Sequence, residues 1–144
     1  MPSNTDDLRA LVSEGRNPNS ADLDRLSSRQ IVEVMNTEDA GVASAVGSEL
    51  DAIAAAVDRI VAAFRAGGRL IYIGAGTSGR LGVLDASECP PTYSVPPGMV
   101  IGLIAGGDHA IRHSVEDAED DHAQGAADLD GVRVGPDDVV VGIA

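Results

Sequence analysis

The sequence predicts an α/β protein: a parallel sheet flanked by helices, preceded by an N-terminal helical segment. Three nearly uninterrupted apolar runs occur at residues 70–74, 99–104 and 139–143. Such runs are typical of strands that are buried on both faces of a parallel sheet. Helical patterns lie before the first run and between the runs, near 80–87 and across 109–129. The predicted order is therefore αβαβαβ, a doubly wound arrangement with right-handed crossovers.

Two helices are predicted ahead of the first strand. Ser27 and Gln30 have the spacing of a capping box, which predicts that a helix begins there. We expect the polar residues 36–39 to interrupt it. A second helix over about 40–66 is indicated by apolar residues at spacings of three and four, and Gly67–Gly68 should end it as a C-cap.

We expect three segments along the chain. Residues 1–21 are polar and predict a flexible arm, with one short helical turn around Leu8–Val12. Residues 22–68 should form helices that pack on the sheet, and 69–144 should form the α/β domain. The chain stops at the tip of the third strand, where ligand-binding loops follow in open parallel sheets. We therefore expect a domain that is truncated after that strand or completed by another chain.

The composition narrows the possible partners and the compartment. The chain has 144 residues, a net charge of −13 and no lysine, which argues against nucleic acid or an anionic membrane as partner. The absence of lysine also excludes Schiff-base chemistry. Cys89 is the only cysteine, so no internal disulfide forms. With no secretory signal and no apolar run of about 20 residues, we expect a cytoplasmic protein.

A glycine-rich loop follows the first strand. Gly74, Gly76 and Gly79 enclose Thr77 and Ser78 and lead into a helix, a geometry that binds anions at a helix N-terminus. The glycine spacing matches the dinucleotide fingerprint, but no acidic residue follows at the expected distance of about 20 positions. The adjacent hydroxyls favour a phosphate monoester, such as a sugar phosphate. A turn that needs glycines for conformation alone remains an alternative.

Residues 85–93 hold a candidate acid or base. Pro90 and Pro91 should exclude a helix after Cys89, so Glu88 is expected in a rigid loop beside the phosphate site. A solvated glutamate is the alternative interpretation. For Cys89 we favour a small buried residue over a nucleophile, because no histidine is placed nearby in sequence.

The predicted helix at 109–129 carries further candidates. His109 and His113 could share one face, but a zinc site would want a third ligand and usually a glutamate between the histidines. We therefore expect no metal. Glu116 and Glu119 lie one turn apart, so one could face the cleft at the strand ends while the other is solvated. A fully solvated helix face is the alternative.

Long runs of this sequence closely resemble one known family. They are LIYIGAGTSGRLG at 70–82, DASECPPTY at 85–93 and GLIAGG at 102–107, supported by SEGRN at 13–17 and DVVVGIA at 138–144. These runs resemble the N-acetylmuramic acid 6-phosphate etherases, which have the sugar isomerase (SIS) fold. Members of that family are longer and continue past this end with a second Ser/Gly-rich loop.

The resemblance implies a lyase of cell-wall sugar recycling that needs no metal or organic cofactor. It would cleave the D-lactyl ether of N-acetylmuramic acid 6-phosphate to N-acetylglucosamine 6-phosphate and D-lactate. By resemblance, Glu88 is the acid, Glu119 is the base, and Gly76, Thr77, Ser78 and Gly79 bind the phosphate. The family also implies a homodimer with sites near the subunit interface. A non-catalytic SIS-type sugar-phosphate regulator and a nucleotide-binding module remain the alternatives.

Overall fold

The structure, a computed structural model, describes residues 15–116 and 118–144. The described residues up to Asp51 form one compact unit, and Ala52–Ala144 form a second. The helical turn predicted at Leu8–Val12 and the first residues of the SEGRN run lie outside the described residues. The division into arm, helical segment and α/β domain stays a prediction.

The first unit contains two short 3-10 helices, Pro18–Ser20 and Leu23–Arg25, and the helix α1, Ser28–Gly47. The predicted capping box is confirmed at the start of α1. The Ser27 hydroxyl accepts from the Gln30 backbone N–H at 3.4 Å, and the Gln30 side chain accepts from the Ser27 N–H at 2.9 Å. Two backbone donors at this helix end are thereby satisfied.

The predicted interruption of α1 at residues 36–39 is wrong, because the helix runs through them. Their polar side chains find partners that are compatible with a helix. Thr37 donates its hydroxyl to the Glu33 carbonyl at 2.8 Å. The Glu38 carboxylate accepts from the side-chain amides of Asn17 and Asn19 at 2.7 and 2.8 Å, and those bonds lower the pKa of Glu38, that from Asn19 most.

The break falls instead at residues 48–49, and α2 follows as Leu50–Arg65. The predicted glycine C-cap of α2 is confirmed. Gly67 has φ +85°, its N–H donates to the Phe64 carbonyl at 3.1 Å, and the Gly68 N–H donates to Ala63 at 2.9 Å. This is the Schellman arrangement, which uses the left-handed conformation that glycine adopts without strain.

The three predicted strands are confirmed as one parallel sheet. They are β1, Leu70–Gly74; β2, Val100–Ile104; and β3, Val139–Ile143. β1 lies in the centre, so the order is β2-β1-β3. At the start of β1, Arg69 makes a two-nitrogen contact with Asp138 at 3.2 and 2.6 Å, and its backbone N–H donates to the same carboxylate at 2.8 Å. This ion pair links the residues that immediately precede β1 and β3, at the N-terminal ends of the two strands.

The helix α3, Gly76–Tyr93, follows β1 and passes through Pro90 and Pro91. The expectation that these prolines exclude a helix is therefore wrong. Both stand in the last turn, so the hydrogen bonds that they remove, to the carbonyls of Ala86 and Ser87, lie at the end of the helix and leave its body intact. Ser94 caps it in the left-handed conformation, φ 54°, and donates its N–H to the Pro90 carbonyl at 2.9 Å.

The single helix predicted at 109–129 is also wrong. A short helix, α4, spans Gly107–Ala110, and a longer one, α5, spans His122–Gly131. α5 begins late because the Asp121 side chain accepts from the Gln124 N–H at 2.9 Å and caps it. An N-cap residue has non-helical backbone angles, so a continuous helix could not run through Asp121.

α3 packs on the sheet through glycines. A Cβ placed on Gly79 would lie 2.5 Å from the Gly74 carbonyl oxygen, and one on Gly82 would lie 2.9 Å from the Tyr72 Cβ. One on Gly102 of β2 would lie 2.6 Å from the Val83 Cα. The backbones of α3, β1 and β2 therefore approach more closely than side chains would allow.

Within the described residues, no single helix has both the length and the apolar composition to cross a membrane. Taken together, α1 and α2 pass the same test by length and composition only.

Candidate functional site

The carboxyl ends of the strands border a cavity of about 560 Å³. Ligands of open parallel sheets bind in this position. Its wall is formed by the ends of β1 and β3, the residue after β2, the start of α3, the segment before α5, and the first turns of α5. The lining residues are Ile73, Gly74, Ala75, Ser78, Ala105, Ala118, Glu119, Asp120, Asp121, His122, Gln124, Gly125, Asp128, Leu129, Ile143 and Ala144.

Two helices begin at this cavity, and they begin differently. At α5 the Asp121 carboxylate already occupies the end of the helix. At α3 the N-cap residue is Ala75, whose side chain cannot accept a hydrogen bond. The first intrahelical bond there runs from the Gly79 N–H to the Ala75 carbonyl at 2.9 Å. The N–H groups before Gly79 therefore remain as donors for an anion.

The four predicted phosphate-binding residues occupy different environments. Ser78 lines the large cavity, and Gly76, with φ +52°, lines an adjacent cavity of about 300 Å³. Thr77 is exposed and lines neither cavity. Gly79 is buried against the Gly74 carbonyl. Gly79 is therefore needed for the close packing of α3 on β1. This structural role is related to the alternative interpretation of the loop, in which the glycines serve the conformation of the turn alone.

Glu119 lies in the segment between α4 and α5 and lines both cavities. Its side chain is exposed. The large cavity is also lined by three aspartates, Asp120, Asp121 and Asp128. Among its described lining residues, His122 is the only histidine, and no arginine is present. An anionic ligand would therefore be placed towards the start of α3 and away from this acidic wall.

Glu88 is not brought to this cavity. Because α3 continues through the prolines, Glu88 lies on the helix and not in the predicted loop. At about 1.5 Å per residue it is roughly 18 Å along the axis from Gly76. Its side chain is exposed. Within one chain, the structure joins Ser78 with Glu119 and leaves Glu88 apart from both.

Arg80, one turn into α3, binds backbone of the segment that follows α4. Its Nε donates to the Ile111 carbonyl at 3.0 Å and its Nη2 to the His113 carbonyl at 3.3 Å. The imidazole ring of His113, in the same segment, stacks on that of His109 in α4, with centroids 4.2 Å apart. Among residues 15–116 and 118–144, no group of three or more potential ligands is placed to hold a metal ion.

A polar cluster lies where α3 crosses β1. Burial, with a hydrogen bond to Asp85, raises the pKa of Tyr72 to about 12. Burial, with the charge of Asp85, also raises the pKa of the Cys89 thiol. Cys89 is half-buried. A raised pKa disfavours the thiolate and thus a nucleophilic role.

The sequence prediction missed the part of the cavity wall that α5 supplies, including His122, Gln124 and Asp128. One signal was present. Asp121 and Gln124 have the Asp-x-x-Gln spacing of an N-cap followed by a capping partner, and this places a helix start at the end of the cavity.

Comparison with known proteins gives two kinds of match. Residues 52–144 match the family described as the glucokinase regulatory protein N-terminal SIS domain. The chain is 67% identical over 138 residues to an N-acetylmuramic acid 6-phosphate etherase of Jannaschia sp. (strain CCS1), covering 96% of the chain and 44% of that protein. It is 60% identical over 137 residues to the protein of the same name from Actinobacillus succinogenes, covering 95% and 45%. The chain spans less than half the length of these relatives.

Proposed function

The chain belongs to the SIS domain family typified by the N-terminal domain of the glucokinase regulatory protein, and from this we propose that it forms part of a sugar-phosphate lyase. The substrate we propose is N-acetylmuramic acid 6-phosphate, which is cleaved to N-acetylglucosamine 6-phosphate and D-lactate. The observation that carries the proposal is that Ser78 and Glu119 line one cavity at the strand ends. The names of the relatives support the same substrate.

The phosphate would bind at the start of α3. The N–H groups ahead of Gly79 and the Ser78 hydroxyl supply donors, and the helix dipole favours an anion there. A hydrogen bond to a charged group contributes about 1.5–3 kcal/mol. The sugar would then extend from this end into the cavity towards Glu119.

Glu119 is the proposed base. In the open-chain sugar the C1 aldehyde acidifies the C2 proton. Removal of that proton by Glu119 allows the C3–O bond to break, and an acid protonates the departing lactate oxygen. Water then adds at C3, and C2 regains a proton. The two carboxyl groups must hold different protonation states at one pH, as in other acid–base pairs.

Glu88 is the proposed acid, and we propose that a second copy of the chain supplies it. Two features support this. Glu88 lies far along α3 from the cavity of its own chain. In addition, Leu84 and Leu81, four and seven residues before it on the same helical face, are 57% and 56% exposed. An apolar exposed strip beside a required carboxyl group suits a homodimer contact.

Release of D-lactate from N-acetylmuramic acid 6-phosphate tests the proposal, with the Jannaschia relative as positive control. We expect release by the chain, abolished in Glu119→Gln and retained in Asp130→Asn. Asp130 is an exposed carboxylate of α5 that lines neither cavity. If the relative turns over and the chain does not, these residues alone do not form a working site.

A second candidate is a sugar-phosphate-binding regulator without catalysis. The separation of Glu88 from the cavity within one chain favours it, because a regulator needs no acid there. It predicts binding of N-acetylglucosamine 6-phosphate by calorimetry without lactate release. It also predicts that Glu119→Gln has no turnover to lose.

A further inference from the structure

Arg80 connects the two parts of the candidate site. It stands on α3 one turn beyond the phosphate-binding start, and its guanidinium binds the carbonyls of Ile111 and His113. Two nitrogens of the planar Arg80 guanidinium thus donate to two backbone carbonyls of the turn after α4. The rigid fork of arginine suits this geometry, and the single ammonium of lysine would not reproduce it.

The turn held by Arg80 leads into the segment that carries Glu119. Val115 packs closely on Gly106: a Cβ added to Gly106 would lie 3.0 Å from the Val115 Cβ. At the far end, the Asp121 cap fixes the start of α5. Glu119 therefore lies between two anchored points. The anchor on the N-terminal side of Glu119 is the pair of hydrogen bonds from Arg80, which belongs to α3.

We infer that Arg80 is a positioning residue that sets the distance between the phosphate-binding start of α3 and Glu119. This inference rests on the proposed function. Arg80, Gly76 and Glu119 line the same smaller cavity, so the start of α3, Glu119 and the arginine between them border one space. With the phosphate bound at α3, a displacement of the turn moves the carboxylate relative to the C2 proton.

Arg80→Ala, Arg80→Lys and a matched control, Arg112→Ala, test the inference. Arg112 lies in the same turn, and its exposed side chain makes none of the described hydrogen bonds. We expect Arg80→Ala to lower kcat by up to about a hundredfold, the loss that a displacement near 1 Å can cause. The Kd for N-acetylglucosamine 6-phosphate should stay unchanged, Arg80→Lys should restore part of kcat, and Arg112→Ala should behave as the wild type.

The split between kcat and Kd separates positioning from substrate contact. A weaker Kd in Arg80→Ala with kcat retained would overturn the inference and assign Arg80 to the phosphate. With an active wild type, a wild-type kcat in Arg80→Ala would overturn it as well.

Amide hydrogen exchange tests the anchor without turnover. We expect faster exchange at residues 111–116 in Arg80→Ala than in the wild type or Arg112→Ala. If the wild type releases no lactate, the proposed function fails, while faster exchange in Arg80→Ala still supports the anchor. Unchanged exchange overturns the inference whatever the activity.

Discussion

Replacing Gly79 with alanine should destabilise the second unit, although alanine is the better helix former. The added Cβ would lie 2.5 Å from the Gly74 carbonyl oxygen and 2.7 Å from Ile104 Cγ1. The Ile104 side chain can rotate away, but the Gly74 oxygen cannot, because it accepts the Ala105 N–H at 2.9 Å. The start of α3 must therefore move away from β1.

The magnitude follows from two opposing terms. Overpacking of this kind costs about 1–3 kcal/mol, and the helix propensity of alanine over glycine returns about 1 kcal/mol. These terms leave a net loss of about 0–2 kcal/mol. We expect a value near the upper end, about 2 kcal/mol, because the closest clash is with a backbone oxygen, and it is measured as a lower urea midpoint followed by far-UV circular dichroism. A binding assay should also show weaker sugar-phosphate affinity, since the displaced turn carries Ser78.

Gly125→Ala is the matched control, because Gly125 is helical and a Cβ there meets nothing within 4 Å. It should gain up to about 1 kcal/mol from the same propensity term. If Gly79→Ala unfolded at or above the wild-type midpoint while Gly125→Ala behaved as expected, the close approach of α3 to β1 would be refuted.

Three further predictions concern binding, chemistry and pH. Ser78→Ala should weaken the calorimetric Kd for N-acetylglucosamine 6-phosphate by about 1–3 kcal/mol; an unchanged Kd would place the phosphate elsewhere. Glu88→Gln should keep that Kd but lose lactate release, and near wild-type turnover would remove Glu88 as the acid. The hydrogen bond from Arg69 holds the pKa of Asp138 well below its usual range. Its stabilisation is therefore complete above the unfolded pKa of about 3.9 and is lost as pH falls below it. Urea midpoints between pH 3 and 7 should fall less steeply on the acid side in Asp138→Asn than in the wild type; identical slopes would contradict this.

The strands could be predicted from sequence because strands buried on both faces leave continuous apolar runs. The start of α1 and the end of α2 could be predicted as well, because a capping box and a glycine C-cap mark them. The continuation of α1 through 36–39, the end of α3 and the start of α5 could not, and these failures have physical causes. α1 continues through 36–39 because Glu38 is bound by Asn17 and Asn19, which are distant in sequence. α5 starts late because the Asp121 side chain caps it, and a charge-rich stretch conceals such a cap.

The position of Glu88 depended on one of these boundaries. A helix that ended before Glu88 would have left it on a loop free to fold back beside the phosphate. Because α3 continues to Tyr93, the same residue is carried away from the cavity. The pairing of Ser78 with Glu119 was easier to anticipate, since both follow strands whose carboxyl ends share one edge of the sheet.

The contrast between the two helix starts at the cavity sets the direction in which a ligand can lie. α5 is occupied by its own carboxylate, Asp121, whereas α3 begins at Ala75 with its donors unoccupied. A linear molecule with a phosphate at one end therefore has one orientation available, with the carbon chain extending towards Glu119. A second phosphate at the opposite end would meet the carboxylates of the α5 side, so a bisphosphate analogue should bind more weakly than the monophosphate. The site would thus distinguish which end of a ligand carries the phosphate.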